Sequence, residues 1–207
     1  MITASHLPSD RNGMKFFTEK GGFTKEQVQT LISGAKLCAQ RWYDMSLIPP
    51  SSGSQAVFCS EWVDFMPSYE SGLKAALMKE VHGEDHASNA PEMTLKGLKV
   101  CLNAGNGSGG FFQHVLEDLG ADVSASIHTN PDGNFPAGIP NPEKTTMVQE
   151  TIKACEESKS DFGIMLDTDA DRSGFVMPRF VKEDGSRSGY EALTGNRKLY
   201  LLFSNEL

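Results

Sequence analysis

Three aspartates stand at alternate positions in Asp167-Thr168-Asp169-Ala170-Asp171-Arg172. They follow the apolar run Phe162-Gly163-Ile164-Met165-Leu166, whose composition and length predict a short buried strand. An extended backbone would point side chains at i, i+2 and i+4 to one side. Two carboxylates about 4 Å apart repel by roughly 4 kcal/mol at an effective dielectric near 20, and a third adds to that. A cation offsets this repulsion, and all-oxygen ligands select a hard ion: Mg²⁺ first, Ca²⁺ or Mn²⁺ after it. The competing reading is a solvated acidic turn. The apolar strand leading in and the arginine closing the run favour the metal site.

Two rival chemistries for this run fail on its own residues. An EF-hand loop needs glycine at its sixth position and a bidentate glutamate at its twelfth. Arg172 and Pro178 stand there instead. The nucleophile motif of haloacid-dehalogenase-type phosphatases, DxDx[TV], is a closer rival. Asp171 in place of Thr or Val, and the late position in the chain, count against it. That reading would phosphorylate Asp167.

A second group lies near the N-terminus. Ser5 is followed by His6, and Lys15 comes just after the turn-forming pair Asn12-Gly13. A serine nucleophile needs such basic neighbours to activate it. Gly105-Asn106-Gly107-Ser108-Gly109-Gly110 has the GxGxxG spacing of a dinucleotide fingerprint. The fingerprint also wants an acidic residue ending the next strand, about 20 residues on. Ile127-His128 offers none, so a tight structural turn is the better reading. His82-Gly83-Glu84-Asp85-His86 departs from the zinc pattern HExxH and reads as a polar loop.

The elements that must position these residues emerge from periodicity. Thr24 and Gln27 form a capping box, with Phe23 and Val28 as the staple, and open a helix with the stripe Val28, Leu31, Ile32, Ala35, Ala39. A short strand is expected near Met14–Thr18 before it, a loop over 49–54 and a strand over 55–59 after it. A helix over about 67–82 follows. Then come strand 98–103, the glycine turn, helix 111–119, strand 121–127, a Pro/Asn/Gly loop over 129–142, helix 145–158 and strand 162–166. This βαβαβ order predicts an α/β fold with a parallel sheet, in which ligands collect beyond the carboxyl ends of the strands. A further strand is expected over 173–177, and a helix from Thr194 to Leu207.

The composition suits a soluble globular chain: 207 residues, 39% hydrophobic and 22% charged. A net charge of −8 argues against a nucleic-acid backbone or an anionic membrane surface as the main partner. The four cysteines form no CxxC pair and suggest reduced core thiols in a reducing compartment. No signal peptide is legible at the N-terminus, and no apolar run reaches membrane-spanning length. A soluble intracellular location, cytoplasmic or organellar, is the expectation.

Taken together, four blocks resemble the α-D-phosphohexomutases in content and order. These are Thr3-Ala4-Ser5-His6-Leu7-Pro8 with Asn12-Gly13-Met14-Lys15, then Asn103–Gly110. The third is Pro131-Asp132-Gly133-Asn134-Phe135-Pro136 with Pro140-Asn141-Pro142-Glu143, and the last is Asp167–Arg172. Leu7 stands where many members have Asn, and Thr168 where Gly is usual. The resemblance implies a Mg²⁺-dependent phosphoserine enzyme acting on a phosphorylated hexose. Ser5 would carry the phosphoryl group. Asp167, Asp169 and Asp171 would hold Mg²⁺ with an oxygen of phosphorylated Ser5, Arg172 would orient the phosphate, and His6 with Lys15 would move protons. The alternatives are the dehalogenase-type phosphatase and a non-catalytic metal- or phosphosugar-binding remnant.

Family members have four domains. The resemblance therefore implies the C-terminal part of domain I over residues 1–64, domain II over 65–189 and the start of domain III over 190–207. The family's sugar-recognition and C-terminal phosphate-binding loops have no counterpart in these residues. The expectation is that Met1 is an internal methionine of a longer protein, and that these residues alone turn over substrate poorly.

Overall fold

The computed structural model describes residue 2 and residues 10–44, 63–83, 94–181 and 185–193. Ser5, His6, the expected strand over 55–59 and the expected helix from Thr194 lie outside the described residues. The chain divides into two compact units, one built mainly from residues 12–64 and one from Phe65 onward.

In the first unit a small hairpin pairs β1 (Phe17–Thr18) with β2 (Gly21–Gly22). Helix α1 (Lys25–Asp44) follows. Its capping box closes as expected: Thr24 N–H donates to Gln27 Oε1 at 2.8 Å, and Gln27 N–H to Thr24 Oγ1 at 3.3 Å. Phe23, just before the helix, packs its ring 5.7 Å from that of Phe16, just before the hairpin. Leu31 and Ile32 of the apolar stripe stay exposed.

The second unit is the α/β body. Helix α2 (Met66–His82) ends at Gly83, whose N–H donates to the Lys79 carbonyl. The sheet contains β3 (Val100–Asn103), β4 (Phe162–Leu166), β5 (Ser173–Phe180) and β6 (Arg187–Ala192), in that spatial order. Helices α3 (Phe112–Asp118) and α4 (Thr145–Ser158) pack on it. β3 and β4 are parallel, while β5 and β6 return antiparallel, so the sheet is mixed. β6 runs past residue 189 to Ala192, keeping Tyr190 in this sheet.

Alternation in β3 sorts the core into two layers. Val100 and Leu102 join Leu116, Val123, Ile164 and Leu166 on one face. Cys101 joins Met147, Cys155, Met165 and Val176 on the other. Each fully buried aliphatic side chain contributes about 1.5–3 kcal/mol. On α4, Met147, Thr151 and Cys155 recur every fourth residue and form its buried stripe.

Segment 121–127 differs from expectation. It lies beside β3 in the parallel sense but bridges it only at Lys99–Asp122 and Asn103–Ile127. Between these points Asp122 Oδ1 accepts the Ser124 N–H at 2.9 Å, a turn that lifts the backbone off the ladder. Ser126 Oγ then accepts the Leu102 N–H at 3.1 Å where a strand would offer a carbonyl. The segment was expected to be a strand, and the groups of its two serines are what interrupt it.

Candidate metal centre

β4 delivers Asp167 to the carboxyl end of the sheet, fully buried. The acidic run beyond it is not extended. The turn closes with the Ala170 N–H on the Asp167 carbonyl at 3.2 Å, and Ala170 takes φ 59°. This tight loop, rather than strand alternation, gathers the carboxylates. One oxygen from each of Asp167, Asp169 and Asp171 lies within 4.8 Å of the others.

The three are not equivalent. Asp167 accepts the Arg172 backbone N–H at 3.1 Å on Oδ1 and the Arg172 Nε–H at 2.8 Å on Oδ2. Arg172 is itself partly exposed, with its Nε 3.9 Å from Asp171. Asp171 lies at the open side. Its carboxyl is pushed above the usual carboxylate range, first by the charge of Asp169, then by burial and the charge of Asp167; Arg172 opposes this. One nearby arginine therefore leaves the cluster short of positive charge. Such a donor set, hard oxygens in net repulsion, fits a divalent cation.

The glycine turn fixes this loop from beneath. Ser108 donates twice to the Thr168 carbonyl, from its N–H at 2.9 Å and from Oγ at 3.1 Å. Gly107 lies so close that a Cβ there would stand 2.8 Å from the same oxygen. The turn is anchored in its own right. The Gly105 N–H donates to Asn103 Oδ1 at 3.0 Å, and Asn103 Nδ2 to Thr151 Oγ1 of α4 at 2.9 Å. The reading of a structural turn is thus given a partner: the turn clamps the middle of the acidic loop. Ser108 is the residue sequence reasoning passed over, since its partner is distant in the chain.

Of the other expected site residues, Lys15 belongs to the first unit, and Ser5 and His6 lie outside the described residues. The geometry weakens the dehalogenase-type alternative. A nucleophilic carboxylate must reach substrate, whereas Asp167 is fully buried and held by Arg172. Among the described residues no helix is long and apolar enough to cross a membrane.

Models of the phosphoglucomutase/phosphomannomutase alpha/beta/alpha domains match this chain in two places, domain I over residues 1–36 and domain II over residues 81–182. The chain belongs to the phosphoglucomutase/phosphomannomutase family. Curated relatives agree. A protein of Xanthomonas campestris named phosphohexose mutases is 33% identical over 84% of this chain and 34% of its own length. The phosphoglucosamine mutase of Caldicellulosiruptor saccharolyticus is 31% identical over 90% of this chain and 37% of its own. A crystal structure of a phosphoglucomutase/phosphomannomutase family protein from Burkholderia thailandensis superposes with a TM-score of 0.56 at 25% identity. It covers 90% of this chain and 33% of that one. The chain thus spans about a third of the length of these relatives. The domain II match contains both the glycine turn and the whole acidic loop.

One consequence of the charge imbalance is measurable. Protonating Asp171 relieves repulsion in the folded state, so its stabilising contribution is present below the ordinary carboxylate range and lost as pH rises through the raised value. Above that raised value the repulsion is felt in full, and a bound cation offsets it. The expected outcome is that adding Mg²⁺ raises the melting temperature, and by more as pH rises from about 4 to about 7. A Mg²⁺ shift that is flat across this range would contradict the arrangement.

Proposed function

We propose that this chain contributes the phosphoserine and metal-binding parts of a phosphohexomutase, an intramolecular phosphotransferase that interconverts hexose 1-phosphate and hexose 6-phosphate. The observation carrying this reading is the gathered triad Asp167, Asp169 and Asp171 within the residues matched to domain II of the family. Relatives named phosphomannomutase and phosphoglucosamine mutase support a phosphosugar substrate.

In this reading Ser5 carries the phosphoryl group and passes it to the free hydroxyl of a hexose monophosphate. The resulting bisphosphate turns over and returns its other phosphate to Ser5. His6 and Lys15 take the proton from the attacking sugar hydroxyl and return one to the leaving oxygen. Arg172, steadied by its bond to Asp167, orients the phosphate. The three aspartates would hold Mg²⁺ together with an oxygen of phosphorylated Ser5. When bound, the ion stabilises charge developing on the transferring phosphoryl group. The residue ranges 1–64, 65–189 and 190–207 correspond in this reading to the end of domain I, domain II and the start of domain III.

The test is direct. Incubated with glucose 1,6-bisphosphate and Mg²⁺, the chain is expected to acquire one phosphate, located on Ser5 by peptide mass spectrometry. Ser5→Ala should take up none. Phosphate on Asp167 would instead mark a dehalogenase-type phosphatase, and Mg²⁺ binding without phosphorylation a binding remnant. Either result overturns the proposal. Steady-state isomerisation by these 207 residues alone is expected to be negligible, since they span about a third of the relatives.

A further inference from the structure

A pair of thiols lies buried between β3 and α4, and no step of the proposed transfer uses it. The register of β3 and β4 sets Cys101 beside Gly163. A Cβ on Gly163 would stand only 2.8 Å from Cys155 Sγ, so the α4 sulfur fills the hollow that glycine leaves next to Cys101. Cys101 Sγ donates to the Ala125 carbonyl at 3.2 Å. Both cysteines are free and fully buried in one cluster.

We propose that Cys101 and Cys155 form a site of reversible oxidative cross-linking, closing to a disulfide when the protein meets a hydroperoxide. In the first step the Cys101 thiolate attacks the peroxide oxygen, the O–O bond breaks, and the thiolate becomes a sulfenic acid as the peroxide is reduced to water or alcohol. In the second step Cys155 sulfur attacks the Cys101 sulfur. The S–O bond breaks, and hydroxide leaves as water with the Cys155 proton. Two thiols lose two hydrogens and one peroxide is consumed.

The order of the steps follows from the pair's asymmetry. Cys101 lies on β3 with its sulfur against the Ala125 carbonyl of the neighbouring edge, whereas Cys155 sits behind it on α4, which makes Cys101 the first to meet the peroxide. Access comes from the neighbouring edge. The backbone over Cys101 is segment 121–127, joined to β3 by two isolated bridges rather than a continuous ladder. Local opening of this irregular edge is the step that would admit the peroxide to the Cys101 sulfur. A disulfide holds its sulfurs about 2.05 Å apart, closer than unbonded sulfurs can lie, so closure draws α4 towards β3. The same two elements carry the Asn103–Thr151 bond that anchors the glycine turn.

The experiment uses the unmodified chain. It is treated with hydrogen peroxide, alkylated, denatured and mapped by peptide mass spectrometry. The expected product is an intramolecular peptide pair joining Cys101 to Cys155, reversed by dithiothreitol and independent of protein concentration. It should exceed any product linking the exposed Cys38 by about tenfold, because contact rather than exposure governs closure. Cys155→Ser should give no such pair and leave Cys101 as the thiol or sulfenic acid. Recovery of Cys101 and Cys155 as free thiols while Cys38 is oxidised would overturn the proposal, as would sulfinic acid at Cys101 without linkage.

Discussion

Replacing Asp167 with alanine is expected to weaken Mg²⁺ binding by about 100-fold or more and to destabilise the α/β body by about 2 kcal/mol. Two effects compete. The substitution removes two hydrogen bonds to Arg172 from a fully buried carboxylate, and charged hydrogen bonds contribute about 1.5–3 kcal/mol each where they are dry. Against this, losing one of three like charges relieves Asp169 and Asp171, and the partly exposed Arg172 side chain regains water. The backbone N–H of Arg172 loses its acceptor as well, and the fully buried position of the lost carboxylate is left unfilled, so the loss prevails. Asp171→Ala makes the contrast. That residue is exposed and its carboxyl is disfavoured by its neighbours, so the apo protein should be unchanged or slightly more stable while Mg²⁺ affinity still falls. Isothermal titration with Mg²⁺ and urea unfolding of both variants separate the roles. Equal destabilisation by the two substitutions would show that Asp167 is not the internal anchor of the site.

That asymmetry was not legible in the sequence. Alternation treats the three aspartates alike, because spacing carries no information about depth. Asp167 is still part of the strand's approach and inherits its burial, whereas Asp171 follows a left-handed Ala170 that turns the chain outward. Other parts were legible for identifiable reasons. Helix α4 and strand β4 fall where periodicity places them, because Met147, Thr151 and Cys155 repeat at helical spacing and Phe162–Leu166 is uninterrupted and apolar. The parallel sense of segment 121–127 was also legible. Its irregularity was not, because serine hydroxyls capturing backbone groups cannot be told from solvent-facing strand serines before the neighbours are known. The glycine turn was read as structural from the absence of an acidic partner. What each glycine admits depends on segments remote in the chain.

Gly110→Ala is expected to cost more than about 3 kcal/mol and to leave the α/β body largely unfolded. Gly110 is buried, and a Cβ there would lie 1.7 Å from the Thr129 carbonyl oxygen and 2.8 Å from its carbon. The obstacle is backbone, so no side chain can rotate away. Nor can the backbone yield easily. The preceding His128 already takes φ 53°, and its carbonyl accepts the Asn106 N–H at 2.7 Å, which ties the same loop back to the glycine turn. Moving Thr129 aside would strain that residue or break that bond, and Asn106 Nδ2, which donates to the Asn130 carbonyl at 2.8 Å, would lose its partner too. The comparison variant is Gly72→Ala in α2 of the same unit, where a Cβ meets nothing within 4 Å. Removing a helical glycine there should stabilise by about 0.5–1 kcal/mol. Thermal melts of the two variants should therefore move in opposite directions from the unmodified chain. If Gly110→Ala melted within a degree or two of it, the close approach of Thr129 to the glycine turn would be wrong, and the clamp on the acidic loop would lose its foundation.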